Sequence, residues 1–131
     1  MLDSSLEQKL RGAAESAPSE VIAIYVYGSR ARGTERSDSD LDVGVLLRQP
    51  PPATLKGVAR DLEATIETAT RLPTQVVVLN QASADLIHRV LRDGLVLLDR
   101  DRTARIRFEV QARNVYFDLA PMRRRYRRTP A

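Results

Sequence analysis

Apolar residues recur along this chain with two spacings, one typical of amphipathic helices and one typical of buried strands. Over residues 5–16 the apolar positions follow the helical spacing, and Pro18 ends that segment. Residues 21–27 (VIAIYVY) are a continuous β-branched and aromatic run that stops at Gly28, which is typical of a strand buried on both faces. The pattern therefore predicts a first helix followed by the first strand of a sheet.

The remaining chain alternates between the same two patterns, and prolines interrupt it at 50–52, 73 and 121. Its predicted elements are a strand over 41–47 (LDVGVLL), a helix over 55–70, a strand over 75–79 (QVVVL), a helix between Ser83 and Gly94, a strand over 95–98, and a helix from Asp101 or Thr103 to Pro121. This order predicts an α+β (α/β) fold with a small mixed β-sheet of about four strands and flanking helices.

Length and composition predict the domain organisation. The chain has 131 residues, of which 43% are hydrophobic, and this suits one compact domain with its own core. We assign residues 1–120 to that domain and residues 121–131 (PMRRRYRRTPA) to a basic C-terminal tail. No run approaches the roughly 18–20 apolar residues of a membrane span, and the first ten residues lack a signal-peptide pattern. We therefore expect a cytoplasmic protein that does not bind membranes.

Charge and cysteine usage exclude several kinds of site. The net charge is +4, but the residues from Arg100 onward carry +7, which leaves −3 on the first 99 residues. An acidic body with a basic tail is not the continuous basic face of a dedicated DNA-binding domain, so nucleic acid binding through the tail stays open but is not favoured. The sequence contains no cysteine, which excludes disulfides, thiolate zinc sites and cysteine nucleophiles.

The residues with the clearest chemical pattern lie between the first two predicted strands. Gly28 and Ser29 follow the first strand directly, where a glycine lets the backbone approach a phosphate and the Ser29 hydroxyl can donate to it. Asp40 and Asp42 are two residues apart at the second strand, so their side chains face the same way with α-carbons about 7 Å apart. Paired carboxylates favour a divalent cation, and hard oxygen ligands select Mg²⁺ or Mn²⁺.

Each of these features also has a purely structural interpretation, an ordinary turn followed by a solvated acidic loop. Their joint placement at the edges of two strands favours the functional one, because phosphoryl and nucleotidyl transfer need a phosphate cradle beside metal-binding carboxylates. Arg30 lies in the same loop, where its guanidinium can bind a β- or γ-phosphate. Gly33 is interpreted as a residue that lets the loop reverse direction.

Residues 28–46 (GSRARGTERSDSDLDVGVL) resemble the GS-x10-DxD signature of the DNA-polymerase-β-like nucleotidyltransferases, with ten residues between Ser29 and Asp40. The small size resembles the minimal nucleotidyltransferase (MNT) branch, whose members are antitoxins paired with HEPN-domain toxins. The resemblance implies Mg²⁺-dependent transfer of AMP from ATP to a tyrosine of a cognate HEPN RNase toxin, in a hetero-oligomer that silences it. It implies that Gly28 and Ser29 hold the triphosphate, with Arg30 as a further nucleotide contact, and that Asp40 and Asp42 bind metal; we assign Ser29, Asp40 and Asp42 as catalytic.

One position departs from the family pattern. The resemblance implies a third acid on a neighbouring strand, and the residue at that position is Gln75. An amide is a poor metal ligand and cannot act as a base at neutral pH. Either Asp38 or an acid of the partner replaces the missing carboxylate, or the chain is slow or inactive.

Three functions therefore remain open. The first is an antitoxin enzyme that transfers AMP to its partner toxin. The second is an antitoxin that keeps the fold but acts by stoichiometric binding. The third is a nucleotidyltransferase with a small-molecule or RNA acceptor, which ranks last because the chain has no room for a domain that would hold such an acceptor.

Overall fold

A four-stranded mixed sheet with the order β3-β2-β1-β4 organises the protein. The strands are β1 (Val21–Tyr27), β2 (Leu41–Leu47), β3 (Thr74–Val78) and β4 (Leu95–Asp99). Strand β1 pairs antiparallel with β2 and β4, whereas β2 and β3 are parallel. The computed structural model describes residues 2–33, 40–49 and 56–118. The predicted α+β fold with a four-stranded mixed sheet is confirmed.

The helices of the described residues agree with the predicted pattern except near the first turn. They are α1 (Ser4–Glu15), α2 (Ser29–Arg32), α3 (Lys56–Thr70), α4 (Ala84–Asp93) and α5 (Arg102–Asp118). The predicted loop after Gly28 begins with the short helix α2, and Leu79 lies in a 3₁₀ turn (Leu79–Gln81) instead of the third strand. The predicted tail, residues 121–131, lies outside the described residues.

Two hydrophobic clusters cover the two faces of the sheet. One contains Leu10 of α1 and Ile66 of α3 together with buried residues of β1 and β2. The other contains Val90 of α4 and Leu79, with Phe108 of α5 packed against it. Every residue of β1 is buried, because this strand has a neighbour on each side and helices over both faces. None of the described helices combines the length and apolar character that a bilayer crossing requires.

Carboxylates of α3 cover the backbone of the edge strand β3. The backbone N–H of Thr74 donates to Glu67 Oε1 at 3.0 Å, and that of Val76 donates to Glu63 Oε1 at 2.9 Å. Donors that face outward from an edge strand would otherwise be open to another strand. The i, i+4 spacing of these two glutamates matches the spacing of alternate strand residues, so α3 satisfies this edge of the sheet.

Arg100 joins the end of β4 to the end of α1. Its guanidinium donates to the backbone carbonyls of Glu15, Ala17, Pro18 and Val21 at 2.6–3.2 Å. The last carbonyls of a helix have no partner within the helix, and a cation there also interacts favourably with the helix dipole. Arg100 therefore connects two segments that are far apart in sequence.

Candidate active site

The pairing of three strands places Asp42 in a row with Tyr27 and Gln75 across the sheet. Tyr27 lies opposite Asp42 in the antiparallel β1–β2 pair, and Asp42 lies opposite Gln75 in the parallel β2–β3 pair. Residues directly opposite one another in a sheet project from the same face. Asp42 is therefore flanked by Tyr27 on one side and by Gln75 on the other.

This row forms the floor of an open cleft of about 340 Å³. The sheet lines it with Tyr27, Asp42, Gln75 and Val77, the turn after β1 adds Gly28, and α4 contributes Leu86, Arg89 and Asp93. The three α4 residues are spaced three and four positions apart, so they share one face of the helix. The cleft is therefore bounded by the sheet on one side and by α4 on the other.

Gly28 and Asp42 are packed so closely that residue 28 has no room for a side chain. A β-carbon built on residue 28 would overlap the Asp42 carboxylate oxygen Oδ2 and lie 3.3 Å from its carboxylate carbon. Gly28 also has a φ of +80°, a conformation that side chains disfavour. The glycine predicted to admit a phosphate thus also makes space for the Asp42 carboxylate.

The electrostatic environment of Asp42 favours a bound cation. Burial raises the pKa of its half-buried carboxyl group, the charge of Asp40 raises it further, and the charge of Arg89 opposes both effects. Burial likewise raises the pKa of Tyr27, with Asp42 adding to the shift and Arg89 opposing it. The negative charge of Asp42 is therefore incompletely balanced by the described side chains around it.

The other predicted site residues occupy different positions. Asp40 is exposed and immediately precedes β2, close enough for its charge to act on Asp42. Ser29 is the first residue of α2, directly after Gly28. Arg30 does not line the cleft; it lines a separate depression beside α1 and the end of α3, with Lys9 and Thr70 among its neighbours.

The turn after α2 has the geometry that the sequence predicted. Gly33 ends α2 in the left-handed conformation with a φ of +76°, which reverses the chain where the loop begins. Asp38, the alternative acid of the sequence analysis, lies outside the described residues.

Three residues of the cleft were missed by the sequence analysis. They are Tyr27, Arg89 and Asp93, none of which was among the predicted site residues. The available signal was the spacing of Leu86, Arg89 and Asp93 along one face of α4. Asp93 also accepts two hydrogen bonds of 3.0 Å from Arg92.

The carboxylates of the site fit a magnesium ion that takes its remaining ligands from a bound substrate and from water. Across residues 2–33, 40–49 and 56–118, no group of three or more His, Asp or Glu side chains converges as a metal site. Gln75 is exposed and lies opposite Asp42, at the position where the family resemblance implies a third acid. Mg²⁺ is commonly bound by one or two carboxylates together with substrate phosphates and water, and Asp40 and Asp42 meet that requirement.

Comparison with known proteins identifies the family and supports the fold. The polymerase beta nucleotidyltransferase family model matches residues 8–103. A chain of a toxin–antitoxin complex solved with AMP-PNP has a TM-score of 0.76 at 23% identity, with 92% of this chain and 94% of that chain covered. No curated protein matches the sequence.

Two further solved complexes share the fold. A chain of the complex between a tri-AMPylated Shewanella oneidensis HEPN toxin and its MNT antitoxin has a TM-score of 0.71 at 21% identity, with 92% of both chains covered. A chain of the MntA–HepT toxin–antitoxin complex has a TM-score of 0.72 at 20% identity, with 95% of both chains covered. The family model spans the strands and the helix that form the cleft, so this chain belongs to the polymerase beta nucleotidyltransferase family.

Proposed function

We propose that this protein is a Mg²⁺-dependent nucleotidyltransferase antitoxin that transfers AMP from ATP to a tyrosine of a cognate HEPN-domain toxin. The close approach of Gly28 and Asp42 in the cleft is the observation that carries the proposal, because it combines a phosphate-admitting turn with a metal-binding carboxylate. The solved relatives with AMP-PNP and with a tri-AMPylated HEPN toxin support the assignment of ATP as the nucleotide and of a HEPN-domain toxin as the acceptor. We assign the complex with the toxin as a hetero-oligomer.

The proposed reaction is a nucleotidyl transfer. The tyrosine oxygen of the acceptor forms a bond to the α-phosphorus of ATP, the bond from that phosphorus to the bridging oxygen breaks, pyrophosphate leaves, and the tyrosine proton passes to water or to a base. Mg²⁺ bound at this site neutralises the charge of the triphosphate and lowers the pKa of the attacking hydroxyl. Asp40 and Asp42 hold the ion.

The remaining cleft residues bind and orient the nucleotide in this proposal. Gly28 allows the backbone to approach the triphosphate, and the Ser29 hydroxyl donates a hydrogen bond to it. Arg89 extends from α4 into the same cleft as Asp42, and we assign its guanidinium to a phosphate oxygen. Arg30 lines the separate depression beside α1 and the end of α3, so its assignment to the nucleotide rests on the family resemblance alone.

A second candidate function is neutralisation by binding alone. Gln75 favours it, because an amide stands opposite Asp42 where a carboxylate would strengthen metal binding and accept a proton. An antitoxin of this kind protects against the toxin without ATP and without modifying it. The two candidates share the fold and the partner and differ in whether a covalent bond forms.

One experiment separates the two candidates. Purified protein is incubated with α-labelled ATP, Mg²⁺ and a purified HEPN-domain protein proposed as its partner, and label on the HEPN protein is measured. We expect labelling by the wild type and none by the Asp40→Asn/Asp42→Asn double variant. Asp61→Asn/Asp118→Asn is the matched control, because it removes two exposed carboxylates away from the cleft.

The outcomes of this experiment distinguish the candidate functions. Labelling that survives the Asp40→Asn/Asp42→Asn substitution would contradict the proposed site. RNase activity that is neutralised without any label would support the binding-only antitoxin. Labelling of RNA or of a small molecule instead of the protein would favour the third function of the sequence analysis.

A further inference from the structure

The outer side of α5 carries a stripe of large apolar residues that the fold leaves uncovered. Ile106, Val110 and Phe117 are 41%, 49% and 64% exposed. At 3.6 residues per turn they fall within about 40° of one another around the helix, and they extend about 17 Å along it. Scattered apolar residues are common on protein surfaces, but several large ones aligned on one side of a helix point to an interaction site. We call these three residues the outer stripe.

The opposite side of α5 already attaches the helix to the body of the protein. Phe108 packs against the cluster between the sheet and α4, and Glu109 accepts a hydrogen bond of 3.3 Å from the Tyr25 hydroxyl. Arg105 binds Asp99 at 2.8 Å. The fold therefore holds α5 through its inner side, and the outer stripe contributes little to that attachment.

Cations border the outer stripe. Arg102, Arg107 and Arg113 lie on exposed positions of α5, and Arg113 reaches Glu109 at 3.6 Å. The sequence after α5 adds five more arginines between residues 123 and 128. A partner with an apolar helix face and acidic side chains along its borders would complement both the stripe and its surroundings. A second copy of this chain would bring arginine against arginine instead.

The helix that carries the outer stripe packs against α4, which lines the candidate active site. Tyr116 of α5 stacks on His88 of α4, with ring centroids 3.7 Å apart and planes within 5° of parallel. The next residue of α4, Arg89, lines the cleft. A protein seated on α5 would therefore lie against the helix that packs on α4, which is one wall of the cleft.

We propose that the outer stripe is the docking surface for the acceptor protein, which presents an apolar helix face bordered by carboxylates. The inference rests on the proposed function for the identity of the acceptor, the HEPN-domain toxin. It adds to that function the surface on which the acceptor is held. In this arrangement the partner packs its helix on Ile106, Val110 and Phe117, and its acidic residues pair with the bordering arginines.

The test measures the affinity of the whole chain for the same HEPN-domain protein, by isothermal titration calorimetry. We expect Val110→Glu and Phe117→Glu each to raise the Kd at least tenfold. Val115→Glu is the matched control, since Val115 is 50% exposed on the same helix but lies about 140° around it from Val110. Its Kd should stay within twofold of the wild type. Arg102→Glu/Arg107→Glu should weaken binding more at low salt than at high salt.

Further measurements keep this inference separate from the proposed function. Unchanged thermal unfolding and Mg²⁺–ATP binding in each variant show that the fold and the cleft are intact. Tight binding that depends on Val110, without AMP transfer, would contradict the enzymatic function but support the docking surface. AMP transfer together with toxin binding that Val110→Glu does not weaken would support the enzymatic function but contradict the docking surface.

Two other occupants are distinguished by the same variants. If light scattering shows a dimer of the chain alone that Val110→Glu converts to a monomer, a second copy covers the stripe and the inference is wrong. If Val110→Glu leaves the HEPN protein bound but weakens binding to single-stranded RNA, the stripe is an RNA surface and the inference is also wrong. A wild-type chain that does not bind the HEPN protein at all would overturn it too.

Discussion

The Asp42 carboxylate fills the space that a β-carbon on Gly28 would require. This packing joins the turn after β1 to the start of β2, since Tyr27, the residue before Gly28, pairs with Asp42 across the two strands. The position of the Asp42 carboxylate thus depends on the absence of a side chain at Gly28. Any side chain at 28 must displace the carboxylate that we assign to the metal.

The first prediction concerns this contact. Gly28→Ala should reduce Mg²⁺–ATP affinity at least tenfold, because the new methyl group displaces the Asp42 carboxylate. It should also lower the free energy of unfolding by about 1–3 kcal/mol, since a residue with a side chain is strained at a φ of +80°. Calorimetric titration and chemical denaturation measure the two effects.

Gly12→Ala provides the matched control. Gly12 lies within α1, where an added β-carbon meets nothing within 4 Å. The substitution should leave Mg²⁺–ATP affinity unchanged and stabilise the protein by about 0.5–1 kcal/mol, because alanine favours the helix. Equal nucleotide affinities for Gly28→Ala and Gly12→Ala would contradict the role assigned to Gly28.

The second prediction concerns the missing acid. Gln75→Asp should raise the rate of AMP transfer and tighten Mg²⁺ binding, because the new carboxylate would stand opposite Asp42 at the edge of the cleft. Gln75→Asn is the control that shortens the side chain equally without adding charge. Initial rates with α-labelled ATP measure the effect, and no difference between the two variants would show that position 75 is not the third ligand position.

The third prediction tests the residue that α4 adds to the site. Arg89→Gln should raise the Kd for Mg²⁺–ATP about tenfold or more, because a guanidinium that binds phosphate is lost from the cleft. Arg92→Gln removes an arginine one turn along the same helix, where it is bound to Asp93 instead. Direct binding of ATP and of AMP should show a larger loss for ATP; a loss of the same size for both would exclude a β- or γ-phosphate contact.

The fourth prediction separates stability from function. Arg100→Ala should destabilise the protein by about 1 kcal/mol or more, because backbone carbonyls at the end of α1 and in the turn after it lose charged hydrogen bonds. Nucleotide affinity should be unaffected, since Arg100 does not line the cleft. Arg102→Ala, at an exposed position two residues later, should unfold at the same temperature as the wild type. Thermal unfolding of the three proteins measures the difference.

The fifth prediction is a pH dependence of stability. The pKa of Asp101 is lowered because its carboxylate accepts the backbone N–H of Ala104 and also bonds to Arg48. A lowered folded-state pKa gives stability that is present above the unfolded value near 4 and lost as the pH falls through the folded value. Asp101→Ala should therefore lower the unfolding temperature at pH 7, and the difference should shrink as the pH falls through the lowered folded-state pKa.

Asp101→Asn is the reference for that measurement. The amide keeps an oxygen that can accept from Ala104 but carries no charge, so its difference from Asp101→Ala should not change between pH 7 and pH 3. A wild-type advantage over Asp101→Ala that persists unchanged at low pH would show that the charge of Asp101 contributes nothing.

Local pattern was sufficient to predict the elements because each of them is specified by neighbouring residues. The strand β1 follows from a run of β-branched and aromatic residues, and α4 from the Ser83 cap and Gly94. The adjacency of Gly28 and Asp42 could also be anticipated, since both lie at facing ends of consecutive strands. In these cases the residues that contact one another are also close together in the sequence.

Contacts between distant segments could not be read from the sequence. Arg89 reaches the cleft only because α4 crosses the sheet at that end, and Arg30 points away because α2 turns it toward α1 and α3. Glu63 and Glu67 protect β3 only because α3 lies along that edge. Periodicity identifies which face of a helix is apolar, but the partner that this face meets depends on how the elements pack. The sequence therefore determined the residue types of the site. Only the tertiary structure decided which helix and strands form its walls.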